Sequence, residues 1–372
     1  MKKFLVWLGI ANFFLVMQMF AVQESRLLRN PDISGTQIVF TYGGDLWVVP
    51  RTGGEAQRLT SFPGLESDPH FSPDGNLVAF SAEYDGNIDV YIVSAAGGEP
   101  RRLTWHPGED SARGWTPDGL RVLFASGRSS APISYPKFWT VALTGGMPQP
   151  LPIPRAFKGS YSTDGTRLAY QMIEPWESEF RNYRGGQNNP IRIVDLASLQ
   201  EEKLPWDGAN DNSPIWLDHS ICFLSDRDYA MNVWAYDLDA KQLRQLTRFR
   251  DFDAKQIAGH KDTLVIEQGG YLHTLDMASG ELKKLTISAQ GDFPWARSHW
   301  AKVGEKLIEP ALSFSGKRAA FAARGEILSI PAEKGDARNL SRNPGSADRS
   351  PAWSPNGEKI AWFSDASGNM SW

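Results

Sequence analysis

Between Ser67 and Thr104 the chain alternates short apolar runs with polar turns, in an order that returns along most of its length. A polar and aromatic stretch ends in Ser72-Pro73-Asp74-Gly75, where proline pre-sets the first turn angle and glycine accepts a positive one. In the next run Val78 and Phe80 fall on one face and Leu77 and Ala79 on the other. Apolar residues on both faces mark a strand covered on both sides. A Val- and Ile-rich third strand follows at Asp89 to Val93. Gly97-Gly98 then turns the chain into Arg101-Arg102-Leu103-Thr104, a short charged strand suited to a sheet edge.

This grammar is repeated. A closing Leu-Thr-like step stands at Leu59, Leu103, Leu151, Leu204, Leu246 and Leu285, a spacing of about 40–50 residues that points to a propeller or a similar array of small sheets. The opening turn is clear at Thr116-Pro117-Asp118-Gly119 and Ser162-Thr163-Asp164-Gly165, and decays at Trp216-Leu217-Asp218-His219 and Gly259-His260-Lys261-Asp262. The period survives that decay. The pattern predicts an all-β fold, a six-bladed β-propeller of four-stranded antiparallel blades running from about Arg26 to Thr286 within residues 22–290. Each blade uses one continuous segment, so blades one and six are expected to meet only through side-chain packing.

Residues 291–306 lack the pattern and are expected to form a linker. It restarts over residues 307–372, with strands at Arg318 to Ala322 and Glu326 to Ile330, then Ser354-Pro355-Asn356-Gly357 and Ile360-Ala361-Trp362-Phe363. This region reads as the incomplete start of a second propeller, marginal in isolation because one blade and a fraction cannot bury both faces.

Residues 1–21 differ from everything after them. Lys2 and Lys3 precede an apolar run from Phe4 to Phe20, interrupted by Asn12 and Gln18, with Ala21 where a signal peptidase can cut. The run is short for a spanning helix and fits a signal peptide, with export to the periplasm or medium; the alternative is an uncleaved leader that anchors the chain. The net charge of −4 gives no electrostatic case for nucleic acid. The single cysteine, Cys222, cannot form an intrachain disulfide and reads as a small core filler.

No catalytic motif is present: no Gly-x-Ser-x-Gly elbow, no His-Glu-x-x-His helix, no phosphate-binding loop and no cysteine pair. The Asp-Gly pairs have turn spacing rather than calcium-loop spacing, so neither a metal nor a cofactor is expected. The longest interruption, Glu174 to Pro190, places two arginines and three aromatics beside Gly185-Gly186, a composition suited to binding a carboxylate or stacking on another domain, weighed against an ordered loop that covers the propeller face.

The opening Leu27 to Ile33 with Asp45-Leu46-Trp47, the loop Tyr183-Arg184-Gly185-Gly186, and Ser213-Pro214 before the Asp226 turn resemble the N-terminal propeller of the tricorn protease family. The resemblance covers nearly everything after the leader. It implies a six-bladed propeller followed by a seven-bladed one, a PDZ-like domain and a C-terminal serine protease core, with the propellers guiding peptides to and from an enclosed site. This chain would then be a substrate-gating or docking region, with the catalytic domains beyond Trp372. The expected partners are peptide substrates and those protease domains; assembly into a homo-oligomer is compatible with the resemblance. An exported leader departs from the cytosolic archaeal members. The family's paired arginines, which can anchor a peptide carboxylate, have no clean counterpart, since His106 to Arg113 offers one arginine. Arg113 and Arg184 are the candidate substrate-binding residues, each weighed against a solvated surface role. Two other readings stay open: a Tol-type periplasmic scaffold, disfavoured because blade one directly follows the leader, and the propeller of a prolyl-oligopeptidase-like peptidase.

Overall fold

A computed structural model describes residues 24–130, 134–175, 181–293, 300–343 and 345–368. The leader therefore lies outside the described residues, as does part of the Glu174 to Pro190 loop. The described residues form two compact units, one up to residue 293 and the other from residue 300.

In the first unit, six successive segments each fold into a four-stranded antiparallel blade, with strands in chain order from the inside outward. Blade one comprises Arg29–Ile33, Gln37–Tyr42, Asp45–Pro50 and Gly54–Arg58. Blade two comprises Glu66–Phe71, Leu77–Ala82, Asp89–Ser94 and Arg101–Arg102. Blades three to six begin with the inner strands Asp110–Trp115, Lys158–Tyr161, Asp211–Leu217 and Ala254–His260. Both faces of each second strand are used. Val78, Phe80 and Ala82 pack toward blade one, while Ala79 packs toward blade three. Six apolar clusters result, one at each junction between neighbouring blades, which closes the ring.

The recurring leucine registers each blade. The amides of Leu59, Leu103, Leu151, Leu204, Leu246 and Leu285 each donate to a carbonyl in, or for Leu204 just before, the third strand of their own blade, at 2.8–2.9 Å. At three of the four sites where threonine follows, its hydroxyl adds a second tie: Thr60, Thr104 and Thr247 accept from the amides of Leu46, Val90 and Val233. Thr104 and Thr247 also donate to Asp89 and Asn232. The period read in the sequence is thus the spacing of these locks.

The seam corrects one expectation. Blades one and six are joined by backbone as well as by side chains. After the sixth blade, Ile287–Ala289 adds a fifth strand to blade one, parallel to Gly54–Arg58, with Ile287 opposite Gly54 and Ala289 opposite Ala56. Its other edge accepts from the amide of Ser25 at Ile287 and donates from Ala289 to the Ser25 hydroxyl, at 2.8 and 2.9 Å. The amide of Leu28 donates to Gly270 of blade six. Beyond this strand Phe293 packs on Trp47 and Tyr42, at ring-centroid distances of 5.9 and 5.4 Å. Gly53 makes the approach possible: at φ 84°, a Cβ there would stand 2.7 Å from the Thr286 carbonyl oxygen.

The second unit holds one four-stranded sheet, Ile308–Leu312, Arg318–Ala323, Glu326–Pro331 and Arg338–Asn339, and the hairpin Arg349–Trp353 with Ile360–Phe363. Leu312 and Phe314 are exposed. Leu340 repeats the leucine lock, donating to Ile327 at 2.8 Å.

Candidate functional site

The six inner strands surround a central channel with a cavity of about 390 Å³. Near the start of these strands the ladder is irregular. Register shifts fall between Arg29 and Asp32 in blade one, Ser67 and His70 in blade two, and Asn212 and Ile215 in blade five. At each bulge the residue before a proline takes positive φ: Asn30 at 48°, Asp68 at 48° and Ser213 at 52°. Such bulges re-aim side chains, and positive φ outside glycine is uncommon enough to mark a site.

The bulged positions and their counterparts form a polar collar. On one side, Asp68 accepts from Asn30 Nδ2 at 3.3 Å and from Arg113 Nη1 at 3.0 Å. Arg113 also donates to the carbonyls of Phe157 (2.9 Å) and Ala112 (2.8 Å), and its guanidinium lies 5.1 Å from the Phe157 ring. On the other side Lys158 Nζ donates to Gln256 Oε1 at 2.8 Å and to Ser213 Oγ at 3.5 Å. Lys158 and Ser213 also border a second cavity of about 170 Å³ lined by Gln171, Glu174 and Asp253. Below the collar come Asp32 and His70, then the aromatic wall of Phe71, Trp115, Tyr161 and Trp216.

The protein atoms crowding these groups decide their charges. Burial lifts the Asp32 carboxyl to about 7, against the Phe71 amide that donates to it at 2.6 Å. Burial likewise lowers the His70 imidazole to about 4, so it is neutral at pH 7. Lys158 is pushed down to about 8 by burial, offset in part by the Asp68 carboxylate. For Asp68, burial raises the pKa, but Arg113 and Lys158 together outweigh it and hold the group below the usual carboxylate range. The collar therefore carries an internal ion pair, Asp68 with Arg113, and a separate ammonium.

The two arginines singled out from sequence lie apart. Arg113 is in the collar, with only 9 % of its side chain exposed and its fork engaged by Asp68 and two carbonyls. Arg184 lies in the blade-four loop, 40 % exposed, paired with buried Asp226 at 3.0 Å. Lys158, Asp68 and His70 were missed. The available signal was the repeated polar-residue-Pro pair at Asn30-Pro31, Asp68-Pro69 and Ser213-Pro214, in three of the six inner strands. Cys222 is fully buried, and burial raises its thiol to about 12, as befits a core position. Among the described residues no group of three or more His, Cys, Asp or Glu side chains is placed to hold a metal.

Residues 25–281 match the family model of the tricorn protease N-terminal beta propeller domain. The chain is 29 % identical over 347 residues to tricorn protease homolog 1 of Streptomyces coelicolor, covering 92 % of this chain and 32 % of that protein. It is 25 % identical over 334 residues to the tricorn protease homolog of Saccharolobus solfataricus, covering 89 % and 31 %. The crystal structure of the tricorn protease superposes with a TM-score of 0.71 at 22 % identity, covering 91 % of this chain and 33 % of that one, which supports the fold. The chain thus spans about a third of the length of the curated relatives it matches. With a family model covering most of the chain and the predicted ring of blades observed, the chain belongs to the tricorn protease family, whose N-terminal propeller its first unit forms.

Proposed function

We propose that this propeller docks and gates peptides for a serine peptidase of the tricorn type, admitting extended chains to its central channel. The observation that carries the reading is the channel itself, bounded by all six inner strands, with a polar collar above an aromatic wall. Peptides present both backbone polar groups and apolar side chains, which that pairing of surfaces suits. Hydrolysis is assigned to protease domains of the kind the family implies rather than to residues of this chain. Export is proposed with it, from the basic and apolar residues 1–21; fusing them to a reporter active only outside the cytoplasm tests it.

The docking reading is tested by equilibrium binding of a fluorescein-labelled, unstructured decapeptide to the 372-residue chain. Ile215 lines the channel, so Ile215→Trp should narrow it and weaken binding while leaving the fold intact by circular dichroism. Undiminished binding to that variant would place the peptide elsewhere.

A further inference from the structure

One ring of residues lies directly below the collar. Asp32, His70, Gly114, Ser160, Ile215 and Ala258 share a register, each opposite the third residue of the second strand in its own blade, and all six line the channel. Asp32 is the one carboxyl among these six. It keeps partial exposure, and it accepts the Phe71 amide of blade two at 2.6 Å, which ties the inner strands of neighbouring blades together. Ser160 does the same for blades four and five, accepting the Trp216 amide at 3.0 Å. A hydroxyl therefore suffices for the tie, which leaves the charge that Asp32 can carry without a structural use. That charge has no ion-pair partner among the described residues: burial and the Phe71 and Ile33 amides set the state of the carboxyl. The rest of the ring is uncharged at pH 7, with His70 neutral and Gly114 and Ala258 small. An anion held there without a counter-charge is costly, and a cation arriving in the channel offsets that cost.

We propose that Asp32 is a cation subsite of the channel, which accepts a primary ammonium group of a docked peptide, at its N-terminus or on a lysine side chain. The assignment rests on the docking reading and names a group that the channel recognises. With one oxygen engaged by Phe71, the carboxylate suits a compact ammonium better than a guanidinium, whose planar fork is matched to both oxygens. The other charged and titratable groups of the channel are His70 in the same ring, Asp68, Arg113 and Lys158 in the collar, and Tyr161, Asp218, His260 and Lys261 toward the far ends of the inner strands. Asp68 is already paired with Arg113. Asp32 takes up its proton as pH falls through about 7, while Asp68 stays ionised and His70, with a pKa of about 4, stays neutral. Ammonium binding therefore weakens below pH 7.

The test uses calorimetry on the 372-residue chain with three C-terminally amidated tripeptides: acetyl-Ala-Lys-Ala, acetyl-Ala-norleucine-Ala and Ala-norleucine-Ala. The second is neutral, and the others place one ammonium on the side chain or at the N-terminus. At about pH 7.5 a charged peptide should bind about tenfold more tightly than the neutral one, the worth of one charge-assisted hydrogen bond. Which of the two gains identifies the source of the ammonium. The preference should fall toward unity at about pH 5.5, where both ammonium groups keep their charge. In Asp32→Asn, which keeps an acceptor for the Phe71 amide, the preference and its pH dependence should both vanish. Asp32→Ser, which copies Ser160, should behave alike and covers the case where the first variant fails to fold. Equal binding of all three peptides by the wild type overturns the subsite and leaves docking standing. A preference that survives both neutral substitutions overturns it too, and its loss in Asp218→Asn instead moves the role to the end of the channel. Binding of none of the peptides overturns the subsite and the docking reading together.

Discussion

Replacing Gly53 by alanine should open the ring at its seam, and Gly97→Ala supplies the matched control. Both glycines sit in the turn between the third and fourth strands of their blades, at φ 84° and 94°. A side chain at such an angle costs about 1–2 kcal/mol in either place. The surroundings differ. A Cβ at Gly97 meets nothing within 4 Å, whereas at Gly53 it would lie 2.7 Å from the Thr286 carbonyl oxygen, a backbone atom of the segment that leads into Ile287–Ala289. That oxygen accepts the Gly54 amide at 2.9 Å, so the turn cannot yield without loosening the parallel pairing. Overpacking of this kind costs a further 1–3 kcal/mol or so. At about 2–4 °C per kcal/mol for a domain of this size, Gly53→Ala should melt roughly 2–12 °C below Gly97→Ala. Hydrogen exchange gives the spatial check: Leu46 and Leu272 should be as protected as blades two and three in the wild type, and lose protection in Gly53→Ala only. Equal melting points, or wild-type exchange at the seam, would refute closure by this strand.

Three further outcomes follow from particular contacts. Thr104 is buried and ties the Val90 amide to Asp89, so Thr104→Val should cost about 1–2 kcal/mol by denaturant melts, and Thr247→Val, with the same pair of bonds, a similar amount. Asp68→Ala leaves Arg113 with carbonyls alone and should destabilise by about 2–3 kcal/mol, below the loss for a dry pair because the collar opens on the channel. For Asp32, the native protein keeps the proton up to about pH 7 while the unfolded chain releases it near 3.8. The native state therefore binds more protons between those values, and its stability falls as pH rises through that window. Asp32→Asn should flatten the decline between pH 5 and pH 8 by up to about 1 kcal/mol, after allowing for solvent in the channel; an unchanged slope would count against a buried carboxyl there.

The blade pattern was legible because its signals are local. Ser72-Pro73-Asp74-Gly75 dictates its own turn, and each Leu-Thr step marks a bond made within its own blade. The closing strand was not. Ile287–Ala289 is three residues long, too short to show a period of two, and its partner Gly54–Arg58 lies more than two hundred residues away. The same holds for the collar, where Asp68 and Arg113, or Lys158 and Gln256, come together only because the ring brings inner strands round to one axis. Arg113 stood out as a cation; the carboxylate that engages it could not be found from its neighbours in sequence. Positive φ at Asn30, Asp68 and Ser213 was equally hidden, since residues before proline ordinarily stay extended.

The account turns on peptides entering the channel. Its most direct test is photo-cross-linking of a benzophenone-bearing peptide to the 372-residue chain, with attachment sites mapped by mass spectrometry. Cross-links should concentrate on the inner strands, at Trp115, Tyr161 and Trp216. Attachment confined to outer strands such as Arg101–Arg102 and Leu282–Lys284 would contradict it.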